Sequence, residues 1–284
     1  MSLNGFELLA SGRGQRLERW SDRVILRPET SAIWPWPQGV VLPDWDGLYH
    51  GNSASGGHWE WRSSLPESAS VHFGRLSFHI RPTASKHLGL FPEQAANWDW
   101  IMGMIRQVST GSPPPRILNL FGYTGGATLA AASAGCAVTH VDSSKAMVTW
   151  CSENARLSGM ESLPIRYIVE DVLTFLQREL RRGKKYDAVV MDPPAFGRAK
   201  GGGLWKLSEH LPSLVDSVHQ ILSDNPLFLL LNIYSDNLGG LPLDRIAETL
   251  NLHGGITVEE PLGLVGTMDG KYLPCGTAYR WSAV

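Results

Sequence analysis

The residues best suited to chemistry follow apolar, β-branched runs. "RILNLF" leads into "GYTGGA", "AVTHV" into Asp142, "PIRYIV" into Glu170 and Asp171, and "YDAVV" into Met191, Asp192, Pro193, Pro194, Ala195 and Phe196. Gly122, Gly125 and Gly126 permit a tight turn at a helix start, where exposed amides favour an anionic group. Asp142 lies 20 residues beyond Gly122 (142 − 122), a spacing at which a carboxylate accepts both hydroxyls of a ribose. Asp171 is placed to accept the exocyclic amine of an adenine. Asp192 can accept a hydrogen bond from an amine or ring N–H, Pro193 and Pro194 leave carbonyls free and add no donors, and Phe196 can stack on a planar base. Each feature also has a plainer structural role. The glycines serve close helix-strand packing, Asp142 and Asp171 serve as helix N-caps, and "DPP" is a stiff turn.

The elements that must position these residues are legible from periodicity. Strands at 116–121, 137–142, 164–169, 186–192 and 226–234 alternate with helical patterns, the signature of a doubly wound, mostly parallel α/β sheet with a buried core. Two last strands, near 256–262 and 277–283, have no helix between them and predict an antiparallel edge hairpin, completing seven strands. In such sheets ligands sit outside the carboxyl ends of the strands, where strand order reverses. Upstream, "GFELLASGRGQRLERW" reads as two strands around Ser11 to Gly14 and "SVHFGRLSFHIRP" as two more around Gly74. The Pro-, Gly- and Ser-rich stretch between them reads as irregular connections or a mobile loop. Residues 93–108 have helical spacing, stopped by "STGSPPP". A small β-rich domain over 1–85 and a larger domain over 86–284 are therefore expected.

At 284 residues, 43% hydrophobic and 18% charged, the chain has the composition of an ordinary globular enzyme. No apolar run approaches bilayer length, and the opening lacks the basic start and apolar core of a secretion signal, so a cytoplasmic protein without membrane contact is expected. Cys136, Cys151 and Cys275 show no metal-binding spacing and read as reduced thiols, with no metal site. A net charge of −2 gives no global field for a polyanion, so nucleic-acid contact would rest on local basic segments. "QRELRRGKK" (177–185) reads chiefly as complementing a helix C-terminus. "GRAKGGGLWK", with Arg198, Lys200 and Lys206, reads equally as a flexible basic loop able to order on a phosphate backbone and as a plain solvated loop. Eight of the eleven tryptophans fall in the first 100 residues. They read as hairpin and core packing, with base stacking as the alternative, and the aromatic surface could support a homodimer contact.

Sites for a ribose, an adenine and a carboxylate at successive strand ends describe S-adenosylmethionine better than NAD, and G-x-x-G-G departs from the dinucleotide pattern G-x-G-x-x-G. The chain resembles class I S-adenosylmethionine-dependent methyltransferases with Rossmann-like sheets, and within them the ribosomal RNA large-subunit methyltransferase group. "LNLFGYTGG", "VDSSKAMVTWCSENARLSG", "YDAVVMDPPAFGR" and, upstream, "KHLGLFPEQ" carry the resemblance over about residues 70–240. It implies that Phe121, Tyr123, Thr124 and Gly125, with Asn119 beneath them, surround the methionine moiety. Asp142 with Ser143 would hold the ribose, and Asp171 with Val172 would flank the adenine. Asp192 would border the cofactor, with Phe91 and Gln94 closing the site from upstream. "FPEQ" departs from the family's L-D-x-R, and no segment reads as the additional N-terminal RNA-binding domain that some relatives carry.

Methyl transfer from a sulfonium needs alignment and exclusion of water more than acid-base help. A pyrimidine C5 acceptor would instead require a cysteine thiolate to activate the ring. Some relatives place that cysteine just after the fifth strand, whereas this chain has Asn232, Ser235, Asp236 and Asn237 there. Cys275, entering the last strand, is a remote candidate. The expectation is therefore a nitrogen acceptor on an RNA base, with Asp192, Pro193, Pro194 and Phe196 as the catalytic clamp. The rival functions are a catalytically degenerate cofactor-binding module with an RNA or protein partner, a methyltransferase acting on a protein or small molecule, and an NAD-linked oxidoreductase.

Overall fold

A computed structural model describes the chain except residues 1, 40, 53–55, 109–112, 199–203, 235–242, 251, 253 and 284. Lys200 and the segment with Ser235, Asp236 and Asn237 thus lie outside the described residues. Chain contacts define two compact units, residues 1–96 with 262–275 and residues 97–261 with 276–284. The first therefore extends past the expected boundary at 85 and takes in a segment near the C-terminus.

In the first unit, β1 (Leu3–Asn4), β7 (Ser70–Phe73) and β8 (Leu76–His79) form a three-stranded sheet. A five-stranded sheet is built in sequence order from β2 (Phe6–Gly12), β3 (Gln15–Trp20), β4 (Arg23–Pro28), β5 (Gly47–Asn52) and β6 (Gly56–Trp61). The β2–β3 turn uses Arg13 at φ 51° and Gly14 at φ 76°, the pair of positive values that a two-residue type I′ hairpin loop requires. The expected irregular stretch is corrected here, because it contains β5 and β6. Its glycines serve close pairing: a Cβ on Gly57 would come within 1.9 Å of the His50 carbonyl oxygen. Edge-to-face packing of Tyr49 on Trp59 (5.1 Å between centroids) fastens the hairpin, and Trp59 Nε1–H donates to the Thr83 carbonyl. Trp20 is fully buried, whereas Trp34 is 75% exposed.

Three charged side chains are buried among these strands. The Glu18 carboxyl accepts a forked pair from Arg27 (2.6 and 3.1 Å) and a bond from Trp20 Nε1–H (3.0 Å), and it pairs with Arg16 at 2.9 Å. Glu18 is a charge that β3 buries because β3 and β4 bring two guanidinium groups to it.

The second unit continues α1 (Ala95–Val108) and holds the large sheet. Its strands are β9 (Arg116–Leu120), β10 (Ala137–Asp142), β11 (Ile165–Val169), β12 (Ala188–Met191) and β15 (Phe228–Ile233), all parallel, with β17 (Tyr272–Ser282) antiparallel to β15. With β16 (Ile256–Val265) outermost, the order is β11-β10-β9-β12-β15-β17-β16, the seven-stranded, mostly parallel arrangement expected. A short antiparallel pair, β13 (Phe196–Arg198) and β14 (Leu204–Lys206), follows β12. The described ends of the expected flexible loop are therefore a hairpin.

The helices are α2 (Gly126–Ser133), α3 (Lys145–Leu157), α4 (Val172–Arg181), α5 (Leu207–Ile221) and α6 (Leu243–Leu250). Leu118, Leu120, Val141, Val189, Met191, Leu229 and Leu231 point to one face and pack with α4, α5 and α6. On the other face Phe228 meets Trp100 of α1, and His140 meets Thr128 of α2 and Cys151 of α3. Continuous apolar strands follow from this coverage of both faces. The basic run 177–185 is largely spent on structure: Arg178 pairs with Glu170, Arg182 with Glu179, and Lys185 donates to the Gln220 carbonyl. Among the described residues no helix is long and apolar enough to cross a membrane.

Removing the Glu18 carboxyl leaves the buried Arg27 guanidinium without a carboxylate, while Arg16 keeps Glu29 at 3.3 Å. Glu18→Ala is expected to cost about 3–5 kcal/mol, read by urea unfolding with tryptophan fluorescence. A loss below ~1 kcal/mol would show that water reaches this cluster.

Candidate active site

Between β9 and β12 the sheet reverses its order, so the loops leaving these two strands start side by side. Met191 pairs with Leu120, and the Asp192 N–H approaches the Leu120 carbonyl at 3.4 Å. This is the switch point at which open α/β sheets bind ligands.

The loop after β9 is fixed from three sides. Gly122 N–H donates to the Val141 carbonyl (2.9 Å), and a Cβ at Gly122 would lie 2.4 Å from the His140 ring. Gly125 precedes α2 at φ 94°, and its Cβ would lie 2.2 Å from Cys151 Sγ. Gly126 faces Trp98, whose ring atoms would lie 2.5 Å from a Cβ. Close packing therefore accounts for all three glycines, and it brings the backbone of α2's first turn to the strand tips. Phe121 and Tyr123 take φ values of 57° and 50°, a conformation costly for L-residues and found at sites where the surroundings over-determine it. Buried Asn154 of α3 holds the next residue by donating to the Thr124 carbonyl (2.9 Å).

Asp142 links this loop to the next. One carboxyl oxygen accepts from Tyr123 N–H (2.9 Å) and the other from Ser144 N–H (2.8 Å). Asp142 is not the N-cap of α3; Ser144 is, accepting from Met147 N–H. Burial raises the Asp142 pKa above the ordinary carboxylate range, while the Ser144 and Tyr123 N–H groups pull it back. Ser143 is exposed beside it. Asp171 does cap its helix: one oxygen accepts from both the N–H and the hydroxyl of Thr174 (3.0 Å each), which leaves the second oxygen outside the cap. Val172 begins α4 and packs in the core.

Asn119 turns inward. Its amide donates to the Thr128 hydroxyl (2.8 Å), which bonds His140 Nδ1 (2.9 Å), with Cys151 Sγ at 3.7 Å. Burial lowers the His140 pKa to about 4, so the ring is neutral, and burial pushes the Cys151 thiol well up. Phe91 and Gln94 belong to the first unit. The Phe91 ring lies 4.8 Å from that of His87, and Gln94 is buried in the short 3₁₀ turn Pro92–Gln94. Cys275 is a free thiol pushed up chiefly by burial, a poor nucleophile.

The D-P-P-x-F segment requires one correction. Pro194's carbonyl is not free: Trp205 Nε1–H donates to it at 2.7 Å. Ala195's carbonyl accepts from Leu207 N–H (3.0 Å), whereas no hydrogen bond among the described residues reaches the Pro193 carbonyl. Phe196 is 64% exposed. Trp205, Asn154, Thr128 and His140 do not stand out in the sequence. A tryptophan within a Gly- and Lys-rich stretch is the only signal among them, since buried polar partners leave no periodic trace.

A sequence profile described as S-adenosylmethionine-dependent methyltransferase matches residues 26–222. The chain belongs to the S-adenosylmethionine-dependent methyltransferase family. The crystal structure of a SAM-dependent methyltransferase from Agrobacterium tumefaciens is 36% identical with a TM-score of 0.88, covering 99% of this chain and 91% of that one. A methyltransferase structure from Streptococcus mutans shares the fold at 16% identity, with a TM-score of 0.75 over 99% of this chain and 76% of the other. Ribosomal RNA large subunit methyltransferase K of Neisseria meningitidis is 33% identical over 145 residues, 50% of this chain and 40% of that relative. The chain thus spans less than half of that relative's length. S-adenosylmethionine is the family's cofactor, and the donor set fits it: a carboxylate held at the β10 tip by two N–H groups, beside a helix start whose cap residue, Gly125, offers no side chain.

Gly125 and Gly135 separate conformational strain from overlap. Gly135 has φ 102°, and no heavy atom lies within 4 Å of where an alanine methyl would sit, so Gly135→Ala meets strain alone, about 1–3 kcal/mol. Gly125→Ala adds the Cys151 overlap, a further ~1–3 kcal/mol. Calorimetry is expected to show S-adenosylhomocysteine affinity reduced in Gly125→Ala and unchanged in Gly135→Ala.

Proposed function

We propose that the protein transfers the methyl group of S-adenosylmethionine to a nitrogen of a ribosomal RNA base. The observation that carries the reading is the strand-order reversal, which sets the D-P-P-x-F segment beside the glycine loop with the Phe196 ring exposed. The relatives named as ribosomal RNA large subunit methyltransferases K and I support the RNA acceptor.

When bound, S-adenosylmethionine supplies an electrophilic methyl group on a sulfonium. The chain's residues then orient and exclude water. Asp142 accepts the ribose hydroxyls with the lone pairs left by Tyr123 and Ser144. Thr124, Gly125 and the first turn of α2 meet the amino-acid end, with Phe121 and Tyr123 beside it. Asp171's uncapped oxygen and Val172 take the adenine. The Asp192 carboxylate and the Pro193 carbonyl accept N–H bonds from the acceptor amine and aim its lone pair at the methyl, while Phe196 stacks on the base. Arg198 and Lys206 on the β13–β14 hairpin contact the RNA backbone. A ribosomal acceptor places the protein in the cytoplasm, and the exposed Trp34 and Ile33 of the first unit are the surface through which a homodimer would form.

Asp192→Ala is expected to abolish methyl transfer to ribosomal RNA and to leave cofactor affinity within about tenfold. Cofactor binding by the wild type without transfer to any RNA would instead describe a binding module. Asp142 gives a pH signature. Its raised pKa means that the protonated form appears as pH falls at a value above the ordinary ~4, and that form accepts one fewer hydroxyl donor. S-adenosylhomocysteine affinity, measured calorimetrically, is expected to be full well above that pKa and to fall as pH drops through it, with the step missing in Asp142→Asn.

A further inference from the structure

We infer that Trp205 is a positioning residue that sets the acceptor clamp through the Pro194 carbonyl; the inference rests on the methyltransferase reading above. A segment leaving a strand with two successive prolines has no N–H groups at those positions with which to anchor itself. Its hold comes from outside, at two successive carbonyls. Trp205 Nε1–H bonds the Pro194 carbonyl (2.7 Å), and Leu207 N–H bonds the Ala195 carbonyl (3.0 Å). Both donors lie where β14 runs into α5. The remaining carbonyl of the pair, on Pro193, is left for a ligand donor, and Phe196 stays exposed because its strand pairs edgewise with Lys206 instead of folding inward.

The indole is itself fixed. It is 5% exposed, stacks on the His210 ring (5.0 Å, 25°), and meets the Phe121 ring at 5.0 Å and 55°. His210 Nδ1 in turn lies 2.8 Å from the Lys206 carbonyl oxygen, holding the turn that carries the indole. Trp205 thus touches both halves of the site: the N–H fixes the acceptor segment, and the ring face supports Phe121, which the glycine loop holds at φ 57°. Loss of the N–H alone frees the Pro194 peptide to turn and displaces the Pro193 carbonyl and Phe196, while the cofactor loop keeps its aromatic support.

The test separates the N–H from the ring. Trp205→Phe, and β-(3-benzothienyl)alanine incorporated at position 205, which keeps the indole's shape without its N–H, are compared with wild type. Single-turnover methyl transfer to ribosomal RNA and S-adenosylhomocysteine affinity are both measured. Transfer is expected to slow about tenfold or more in both variants, with affinity within about twofold of wild type. Wild-type transfer in the benzothienyl protein would overturn the inference, as would an affinity loss matching the loss of rate. Should the wild type transfer no methyl to ribosomal RNA, the substrate reading fails, and Trp205 is judged without an acceptor. Indole N–H exchange in ¹⁵N-tryptophan protein with S-adenosylhomocysteine is then expected to be at least about tenfold slower at Trp205 than at exposed Trp34. Equal exchange would overturn the inference.

Discussion

The parallel pairing of β12 with β9, on the side of β9 away from β10, brings two strand tips together that are far apart in sequence. Leu120 and Met191 are partners in that ladder, and the residues that follow them have no further ladder to join. The chain must therefore satisfy its backbone groups there by other means. It does so with Val141 for Gly122, Leu120 for Asp192, Asp142 for Tyr123 and Trp205 for Pro194. The surface that these solutions leave exposed is the proposed site.

Rigidity beneath the loop comes from polar groups rather than from apolar packing alone. Asn119, Thr128 and His140 form a chain of bonds between β9, α2 and β10, all buried, with the imidazole kept neutral by its surroundings. These bonds fix one ring nitrogen of His140 and the Asn119 amide in place, while His140 Nε2 is buried with no hydrogen-bond partner among the described residues. The His140 ring sits where only a glycine fits above it, which ties the sequence of the turn to a residue in the next strand.

Much of this was legible in the sequence. The alternation of β-branched runs with helical patterns gave the sheet and its antiparallel end, and the acidic residues at the strand tips marked where to look. The strand tips are the place to look because a buried parallel strand leaves only its ends for polar work. What the sequence did not reveal has physical causes. The Gly-rich hairpin of β5 and β6 looked irregular because glycine serves both loops and close strand contacts, and only the aromatic pairs decide between them. Asp171 has the residue type for either a cap or a ligand, and its Thr174 bonds supply the cap. The Trp205 bond to Pro194 joins residues across a hairpin whose pairing no local pattern announces.

The most direct test of the central claim is mass spectrometry of nucleosides from ribosomal RNA of cells with and without the gene. Loss of one N-methylated base, restored by the wild-type gene and not by Asp192→Ala, is the expected result. An unchanged nucleoside profile, or loss of a carbon-methylated base instead, would contradict it.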